Sequence, residues 1–241
     1  MCTLTWRIEK TGYEVFFNRD ELRTRLPEQA PALRQAEGYQ YIAPEDGDHH
    51  GTWLAVNTYG VTYALLNYYD RDKGFDGVAT RSRGLLPQLL AALRAPELDS
   101  LLEHMGSLEG FRPFHFVALV PDGRMLYWAW DGGKLKARPL TAADCPLTTS
   151  SFQTEAVVAD RRKAYRKLGS EPDSAALLEY HRGTSALGAA FGVCMQRPDA
   201  QTMSTSHIVV TETKVHYHYQ RESRDGHSCE LSVPIVVERQ G

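Results

Sequence analysis

The stretch MCTLTWRIEKTGYEVFFNRDE, residues 1–21, decides the fold because it predicts two strands joined by a tight turn. Residues 3–9 and 13–18 are rich in aromatic and β-branched side chains, and Gly12 in the turn between them tolerates positive φ. A hairpin of this kind brings its second strand back beside the start of the first. We therefore expect the NRDE sequence at the end of the second strand to lie close to Cys2.

Cys2 would become the first residue of the chain if Met1 were removed. It would then offer a thiolate nucleophile together with its own α-amino group as the base, which is the logic of an N-terminal nucleophile hydrolase. An α-amino group titrates near ~8 and a thiol near ~8.5, so a nearby cation such as Arg19 needs to shift neither pKa far. The alternative is that Cys2 is a small buried hydrophobic residue at the start of a strand.

The composition fits one domain, residues 1–241, that handles small molecules. No linker, charge block or repeat divides the 241 residues, and this length is within the range of single domains. The formal net charge of −3 gives no reason to expect nucleic acid or an anionic membrane as a partner. Charges interrupt the first twenty residues, so we expect neither a signal sequence nor a membrane span and predict a cytoplasmic protein. The four cysteines are widely spaced, which predicts free thiols.

Apolar periodicity along the rest of the chain predicts alternating groups of strands and helices. Residues 22–48, with prolines and glycines among charges, indicate a surface excursion that could border a pocket. Predicted strands cover residues 51–57, 61–67, 114–120, 125–130, 134–140, 207–213, 215–221 and 229–238, and predicted helices cover 83–95, 97–105, 154–168 and 174–182. The strands are too apolar to leave one sheet face wet, whereas the helices are amphipathic. We therefore predict an α+β fold, a four-layer αββα sandwich with two antiparallel sheets between helical layers.

Four motifs carry a resemblance to a known family: Met1-Cys2-Thr3, Asn18-Arg19-Asp20-Glu21, Gly51-Thr52-Trp53-Leu54 and Leu66-Asn67. With them the chain resembles the NRDE family, also called the transport and Golgi organisation family. The resemblance spans most of the chain, because it also covers Thr202-Met203-Ser204-Thr205. Members of this family are in turn similar to choloylglycine hydrolase and penicillin V acylase, which are N-terminal cysteine amidohydrolases with an αββα, or Ntn-hydrolase, fold.

The resemblance implies catalytic roles for Cys2, Arg19, Asp20 and Asn67. Cys2 matches the nucleophile, and Asn67 matches the asparagine that donates to the oxyanion, a contact worth about 2.7–4 kcal/mol. Arg19 would hold the thiolate, and Asp20 would accept from the Cys2 amine. The acylases place this arginine and aspartate three residues apart, whereas here they are adjacent, so either Asp20 or Glu21 could meet the amine. Strand alternation sends Arg19 and Asp20 to opposite faces.

Two positions depart from the acylase pattern. Thr149, in the segment Leu147-Thr148-Thr149-Ser150, replaces the second asparagine of those enzymes. Their late arginine is missing near Ser206, and Arg197 in the preceding loop could substitute for it. A hydrolase of ordinary acylase type would therefore be incomplete.

We predict Asn18, Trp53, Arg83 and Thr149 as substrate-binding residues. Asn18 belongs to the motif that the hairpin returns to the chain start, and Thr149 lies where the acylases have an asparagine. Trp53 offers a large apolar surface that suits an acyl-bearing ligand as readily as a core. Arg83, in Arg81-Ser82-Arg83-Gly84 at a predicted helix start, could position an anionic group, although these residues also make sense as a plain helix cap.

Other motifs carry weaker signals, and no metal or cofactor is predicted. His216 and His218 alternate along one strand face, yet no further pattern completes a metal ligand set. Arg161-Arg162-Lys163 with Arg166-Lys167 is a basic helical stretch that reads mostly as a solvated face, although part of it could meet an anionic ligand. Cys145-Pro146 is similar to short haem-responsive motifs, and relatives of this family have been linked to haem handling.

The leading hypothesis is an N-terminal cysteine hydrolase that cleaves the carbon–nitrogen bond of a small non-peptide amide through a thioester intermediate. The alternative is a non-catalytic binding or trafficking protein for haem or another hydrophobic metabolite, in which the NRDE motif only pins the first hairpin to the sheet. Both predict a small-molecule partner and leave the oligomeric state open. A third interpretation treats Arg19 and Asp20 as a buried structural pair.

Overall fold

The computed structural model describes residues 1–36, 38–69, 79–97, 99–222 and 229–240, which form two antiparallel sheets. The strands in chain order are β1 (Cys2–Glu9), β2 (Gly12–Leu22), β3 (Gln29–Ala36), β4 (Tyr39–Glu45), β5 (Leu54–Asn57), β6 (Thr62–Asn67), β7 (Phe114–Leu119), β8 (Met125–Trp130), β9 (Leu135–Pro139), β10 (Leu147–Thr149), β11 (Ala200–Val210), β12 (Lys214–Glu222), β13 (Cys229–Leu231) and β14 (Ile235–Glu238). Sheet A has the order β10-β1-β2-β11-β12-β13, with β14 also paired to β12, and sheet B runs from β3 to β9 in chain order.

The helices lie on the outer faces of the two sheets. They are α1 (Leu85–Leu90), α2 (Ser100–Met105), α3 (Thr154–Arg166) and α4 (Ser174–Arg182), with a 3-10 turn at Ala142–Asp144. In α1, Leu86 and Leu90 pack with Tyr63 and Phe116 of sheet B, whereas α3 and α4 contact β10, β1 and β2 of sheet A. The predicted four-layer αββα sandwich is therefore confirmed. No helix in the described ranges combines the length and apolar character that crossing a membrane requires.

The main core lies between the two sheets. Leu4 and Phe17 of sheet A pack in one cluster with Leu54, Ala64 and Val117 of sheet B, all of them fully buried. Side chains alternate between the faces of each strand, so every second residue of these strands enters the core. Burying a large apolar side chain contributes about 1.5–3 kcal/mol. This core holds the start of β1 rigidly against sheet B.

The predicted first hairpin is confirmed, and it sets the register of the site. Cys2 pairs with Arg19 across β1 and β2, and Glu9 pairs with Gly12 at the turn. Gly12 has φ of +146°, and a Cβ there would lie 1.9 Å from the backbone oxygen of Val210. Only glycine fits this position, so the turn is fixed by both conformation and space.

Several predicted segments differ from the structure; the strand predicted at 207–213, for example, is β11 and begins at Ala200. Residues 22–48 were expected to be a surface excursion that could border a pocket. Arg25 and Asp46 do line the cavity described below, but the segment also forms β3 and β4 of sheet B. The edge strand β3 is largely exposed and contains Pro31, so it lacks an alternating signal. The predicted helix at 83–95 is shortened to α1. The predicted strand at 229–238 splits into β13 and β14, because Pro234 between them has no backbone N–H to donate. Residue 98, in the predicted helix 97–105, is outside the described residues.

Candidate active site

A cavity of about 490 Å³ opens beside the start of β1. It brings together residues that are distant in sequence: the start of β1, the end of β2, the segment before β5, the end of β6, and residues 79–84. Of the predicted site residues, Cys2, Arg19, Asp20, Trp53, Asn67 and Arg83 line this cavity, whereas Asn18 and Thr149 do not. The cavity therefore gathers every residue for which the sequence predicted a catalytic role.

Cys2 lies in the cavity wall with only 6% of its surface exposed. Burial raises the pKa of its thiol to about 11, against the opposing influence of the N-terminal amine and Arg19. Burial disfavours the charged form of any acid, and here it outweighs the neighbouring cations. The thiol of the chain that retains Met1 is therefore neutral at physiological pH.

Met1 is buried at the edge of the same cavity, with 7% exposure. Its amine donates to the backbone oxygen of Asp20 at 3.1 Å and to the hydroxyl of Tyr69 at 3.3 Å. Its side chain packs against Met195 and Ala200. While Met1 is present, the amine next to the nucleophile belongs to Met1, and the nitrogen of Cys2 is a peptide nitrogen.

Arg19 is held by carboxylates on the cavity side of β2. Its guanidinium donates to Asp46 at 2.7 Å, to Glu28 at 3.3 Å and to Glu21 at 3.5 Å. The guanidinium also lies 4.3 Å from the centre of the Trp53 ring, in cation–π geometry. Three carboxylates around one cation neutralise much of its charge, so Arg19 supports a thiolate at Cys2 less than an unpaired arginine would.

Asp20 turns its carboxylate away from Arg19, toward the helical layer. Oδ1 accepts from the hydroxyl of Thr202 at 2.7 Å, and Oδ2 accepts from Arg161 of α3 at 3.3 Å. The interpretation of Arg19 and Asp20 as a pair with each other is therefore wrong, because strand alternation sends them to opposite faces. In the chain that retains Met1, neither this carboxylate nor that of Glu21 is hydrogen-bonded to the N-terminal amine among the described residues.

Arg161 is a residue beside the site whose role was not predicted from the sequence. It was included in a basic stretch that reads mostly as a solvated face, which holds for its exposed neighbours Arg162 and Lys163 but is wrong for Arg161, exposed by only 1%. Besides Asp20, its guanidinium donates to the hydroxyl of Thr3 at 2.9 Å. Its position four residues after the buried Val157 was the one available signal, because residues so spaced share a helix face.

Asn18 does not reach the cavity. Its amide nitrogen donates to the backbone oxygens of His181 at 2.8 Å and Val193 at 3.0 Å, and its side-chain oxygen accepts from Thr205 at 2.9 Å. The side chain joins β2 to the helical layer and lies on the opposite face of sheet A from Arg19. Its predicted substrate contact is wrong in this arrangement, because strand alternation directs its side chain away from the cavity.

Asn67 lies at the cavity end of β6 with its amide already oriented. Its Nδ2 donates to the hydroxyl of Tyr69 at 2.9 Å, and the same hydroxyl accepts from the Met1 amine at 3.3 Å. A phenolic oxygen that accepts two hydrogen bonds still has its own proton to donate. Tyr69 thus places a donor beside Asn67.

Thr149 lies behind Cys2, on the β10 side of β1. The backbone N–H of Cys2 donates to its hydroxyl oxygen at 3.3 Å. The two residues are also paired in register between β1 and β10. Thr149 is therefore placed to hold the nitrogen of Cys2, and it does not contribute to the cavity wall where we predicted it to bind substrate.

Two glycines bring the Arg83 segment to the cavity. A Cβ on Gly51 would lie 2.7 Å from the backbone of Gly84, and a Cβ on Gly84 would lie 2.9 Å from the Cα of Gly51. The close approach is secured by the N–H of Thr52, which donates to the Gly84 oxygen at 2.9 Å. This contact fixes Arg83 against the same wall as Trp53.

The remaining predicted motifs lie elsewhere or at the rim. Cys145 packs partly buried against the core of sheet A and does not line the cavity. The rings of His216 and His218 stack 6.4 Å apart on sheet A, and no metal-binding group of three His, Cys, Asp or Glu side chains is found in the described part of the chain. Ser206 is buried on β11, whereas Arg197 donates to the sulfur of Met1 at 3.6 Å.

The fold matches that of known amidohydrolases. A variant of conjugated bile acid hydrolase from Clostridium perfringens is 12% identical, with a TM-score of 0.54 and 97% of each chain covered. Penicillin V acylase from Agrobacterium tumefaciens is 11% identical, with a TM-score of 0.56 over 92% of this chain and 83% of that chain. The Caenorhabditis elegans ortholog of N-acylethanolamine-hydrolyzing acid amidase is 10% identical, with a TM-score of 0.58 over 87% of this chain and 92% of that one. At these identities the likeness establishes the Ntn-hydrolase fold.

The sequence comparison is more specific about family. No curated protein matches the chain. The family model described as "Transport and Golgi organisation 2" matches residues 1–153, which is more than half of the 241 residues and includes Cys2, the NRDE motif and Asn67. The chain belongs to the Transport and Golgi organisation 2 family.

Proposed function

We propose that this protein is an N-terminal cysteine hydrolase that cleaves the carbon–nitrogen bond of a small non-peptide amide. The observation that carries the proposal is the common cavity that Cys2, Arg19, Asp20 and Asn67 share. A thiol, a donor for the oxyanion and buried charges around a space of about 490 Å³ are the parts that acyl transfer needs. The Ntn-hydrolase fold supports the same chemistry by analogy.

The proposed reaction begins after cleavage of the peptide bond between Met1 and Cys2. The freed amine of Cys2 takes the thiol proton, and the thiolate attacks the amide carbon of the substrate. The oxyanion that forms accepts from Nδ2 of Asn67 and from the hydroxyl of Tyr69. The carbon–nitrogen bond then breaks, and the leaving amine takes the proton from the Cys2 ammonium group. Water, deprotonated by the amine of Cys2, attacks the thioester. The carbon–sulfur bond then breaks, the carboxylic acid leaves, and the sulfur takes back a proton from the Cys2 ammonium group.

The surroundings of Cys2 favour this sequence of steps. Its nitrogen already lies 3.3 Å from the hydroxyl oxygen of Thr149, which would orient the free amine. The carboxylate of Asp20 is fixed by Thr202 and Arg161 on the outer face of sheet A, so its negative charge, which contributes to raising the pKa of the N-terminal amine, has a constant position. A pre-oriented group loses less energy to reorganisation than one that must be recruited from solvent.

Kinetics on a chain that begins at Cys2 tests the proposal. Such a chain is obtained by cutting a protease-removable tag directly before Cys2, and it is assayed on a panel of small amides. We expect hydrolysis that falls by more than about a thousandfold in Cys2→Ala, with Cys145→Ala as the matched control. Intact-mass spectrometry of the reacting enzyme should detect an acyl group on Cys2. Undiminished turnover in Cys2→Ala would eliminate the thiolate role.

The rival proposal, a binding or trafficking protein for haem or another hydrophobic metabolite, makes a different prediction for the same material. It requires saturable binding without any turnover in the chain that begins at Cys2. A Soret band that develops on haem titration and is lost when cavity residues are changed would support it. Cys2-dependent hydrolysis without haem binding would favour the enzyme.

A further inference from the structure

Arg83 and Arg81 form a cationic wall of the cavity. Nη1 of Arg83 donates to the backbone oxygen of Pro113 at 2.8 Å, and Nη1 of Arg81 donates to that of Ser107 at 2.7 Å. Within the described ranges, neither guanidinium has a carboxylate within 4.0 Å, whereas Arg19 has three. The guanidinium of Arg81 also lies 4.1 Å from the centre of the Phe111 ring, in cation–π geometry. The half-buried Arg83 has only its carbonyl contact among the described residues, and a cation so poorly compensated is energetically costly.

Arg83 is electrostatically coupled to the nucleophile. Burial lowers the pKa of its guanidinium and the positive charge of Arg112 lowers it further, while Tyr69, Cys2 and Glu21 act in the opposite direction. Arg83 and Cys2 also line the same cavity. An anion bound to Arg83 would therefore belong to the same ligand as the group at Cys2.

Trp53 provides an independent sign of a missing ligand atom. Its indole ring lines the cavity, yet its buried Nε1–H has no acceptor among the described residues. Buried polar groups are nearly always hydrogen-bonded, so this orphaned donor is an unsatisfied position beside the cavity, which a ligand oxygen could fill after a small shift of the wall. Gly51 and Gly84 hold the Trp53 segment against that of Arg83, so one ligand could satisfy both donors.

We propose that the substrate of this cavity is an amide that also carries a carboxylate, and that the carboxylate binds Arg83. Arg81 and Arg112 add positive charge along the same wall and attract the anion before it binds. The inference rests on the proposed hydrolase function and specifies its substrate class. A planar guanidinium matches a carboxylate with two parallel hydrogen bonds, which makes Arg83 the residue that selects charge.

Matched amide pairs test the selection. The probes are the monoanilide of glutaric acid, with a free carboxylate, and the same anilide with a carboxamide in its place; N-hexanoylglycine and N-hexanoylpropylamine place the difference on the amine side. In the chain that begins at Cys2, we expect kcat/KM to favour the carboxylate by about 10- to 100-fold in at least one pair. The preference should vanish in Arg83→Gln and persist in Arg94→Gln, an exposed arginine outside the cavity.

Binding provides a readout that does not depend on turnover. Calorimetric titration of Cys2→Ala with the glutaric monoanilide should give an affinity about 10- to 100-fold higher than with the carboxamide, and Arg83→Gln should remove the difference. The inference would be overturned if both members of each pair had equal kcat/KM values in the chain that begins at Cys2 and equal affinities for Cys2→Ala, whatever the Arg83 variant shows. Cys2-dependent hydrolysis that ignores the carboxylate overturns only this inference, whereas absence of Cys2-dependent hydrolysis overturns the proposed function.

Discussion

The guanidinium of Arg161 lies 3.3 Å from the carboxylate of Asp20, and both side chains are almost completely buried. This ion pair joins the third residue of the NRDE motif to helix α3 across the outer face of sheet A. The neighbouring Arg19 forms its ion pairs on the other face, with Glu21, Glu28 and Asp46. Two adjacent residues of one motif therefore anchor β2 to different layers of the fold.

Replacing Arg161 with Met should destabilise the protein by about 3–5 kcal/mol, because Asp20 would be left as an uncompensated buried charge. Guanidinium chloride denaturation measures the change in the free energy of unfolding. Arg162→Met is the matched control. The side chain of Arg162 is exposed, so its replacement should change the free energy of unfolding by less than about 0.5 kcal/mol. Equal stability of the two variants would show that the ion pair contributes nothing measurable.

Removal of Met1 should activate the Cys2 thiol. With Met1 present, burial holds the thiol pKa at about 11, so alkylation by iodoacetamide should be slow and rise about tenfold per pH unit below that value. In the chain that begins at Cys2, the rate at pH 7.5 should increase by about tenfold or more. Peptide mass spectrometry follows each thiol separately. Cys145, whose pKa burial also raises to about 11, is the internal reference and should be unaffected; a parallel increase there would indicate general loosening.

Tyr69→Phe should lower kcat by about 10- to 100-fold and change KM little, if the hydroxyl donates to the oxyanion. The substitution removes one oxygen and keeps the ring that packs near Met1. Asn67→Ala should have the larger effect, about 100- to 1000-fold on kcat. The alkylation rate of Cys2 separates loss of an oxyanion donor from a less reactive thiol, because a donor to the oxyanion does not alter that rate. A fall in alkylation equal to the fall in kcat would contradict the role of Tyr69.

Gly84→Ala should cost about 1–3 kcal/mol of stability and weaken substrate binding, because the new Cβ would meet the backbone of Gly51 at 2.9 Å. Separation of the two segments would move Arg83 away from the Trp53 wall. Gly133→Ala is the control, since its Cβ would have its nearest neighbour 3.8 Å away. Thermal unfolding and KM together test this prediction, and an unchanged KM in a folded Gly84→Ala variant would argue against it.

Stability should fall when the pH decreases from about 6.5 to about 3, in part through His181. Its Nδ1 and Nε2 are hydrogen-bonded to Asn18 and Thr5, and burial, followed by Arg161 and His207, lowers its pKa to about 3. Within this window the unfolded chain binds a proton at this residue and the folded chain does not. Protonation therefore favours unfolding, at up to about 1.4 kcal/mol per pH unit.

The test compares the pH dependence of the free energy of unfolding in His181→Gln and in His49→Gln. The first variant should show a smaller slope between pH 6.5 and 3, because one proton no longer binds on unfolding. His49 is exposed, so its replacement should leave the slope unchanged. Identical slopes in both variants would show that His181 is not a source of the acid sensitivity.

Much of the fold could be predicted because local patterns and the final packing agree. The hairpin of β1 and β2 follows from alternating apolar residues around Gly12, and helix α4 has the bounds that its amphipathic pattern predicts. Strand β3 escaped prediction because an edge strand buries little and carries no alternating signal, whereas β4 is buried at residues 41–44 without alternating. The predicted helix at 83–95 was too long, because a leucine pattern does not show where a short helix ends.

The sequence by itself determined that Cys2 and the NRDE motif come together, since a tight turn leaves the returning strand one register. It also determined that Arg19 and Asp20 face opposite sides, because side chains alternate along a strand. Only the tertiary structure decided which partners they meet. Arg161 reaches Asp20, and the hydroxyl of Tyr69 reaches both Asn67 and Met1, through contacts between elements far apart in the chain. Periodicity describes which face a residue occupies; the packing of layers decides what lies on that face.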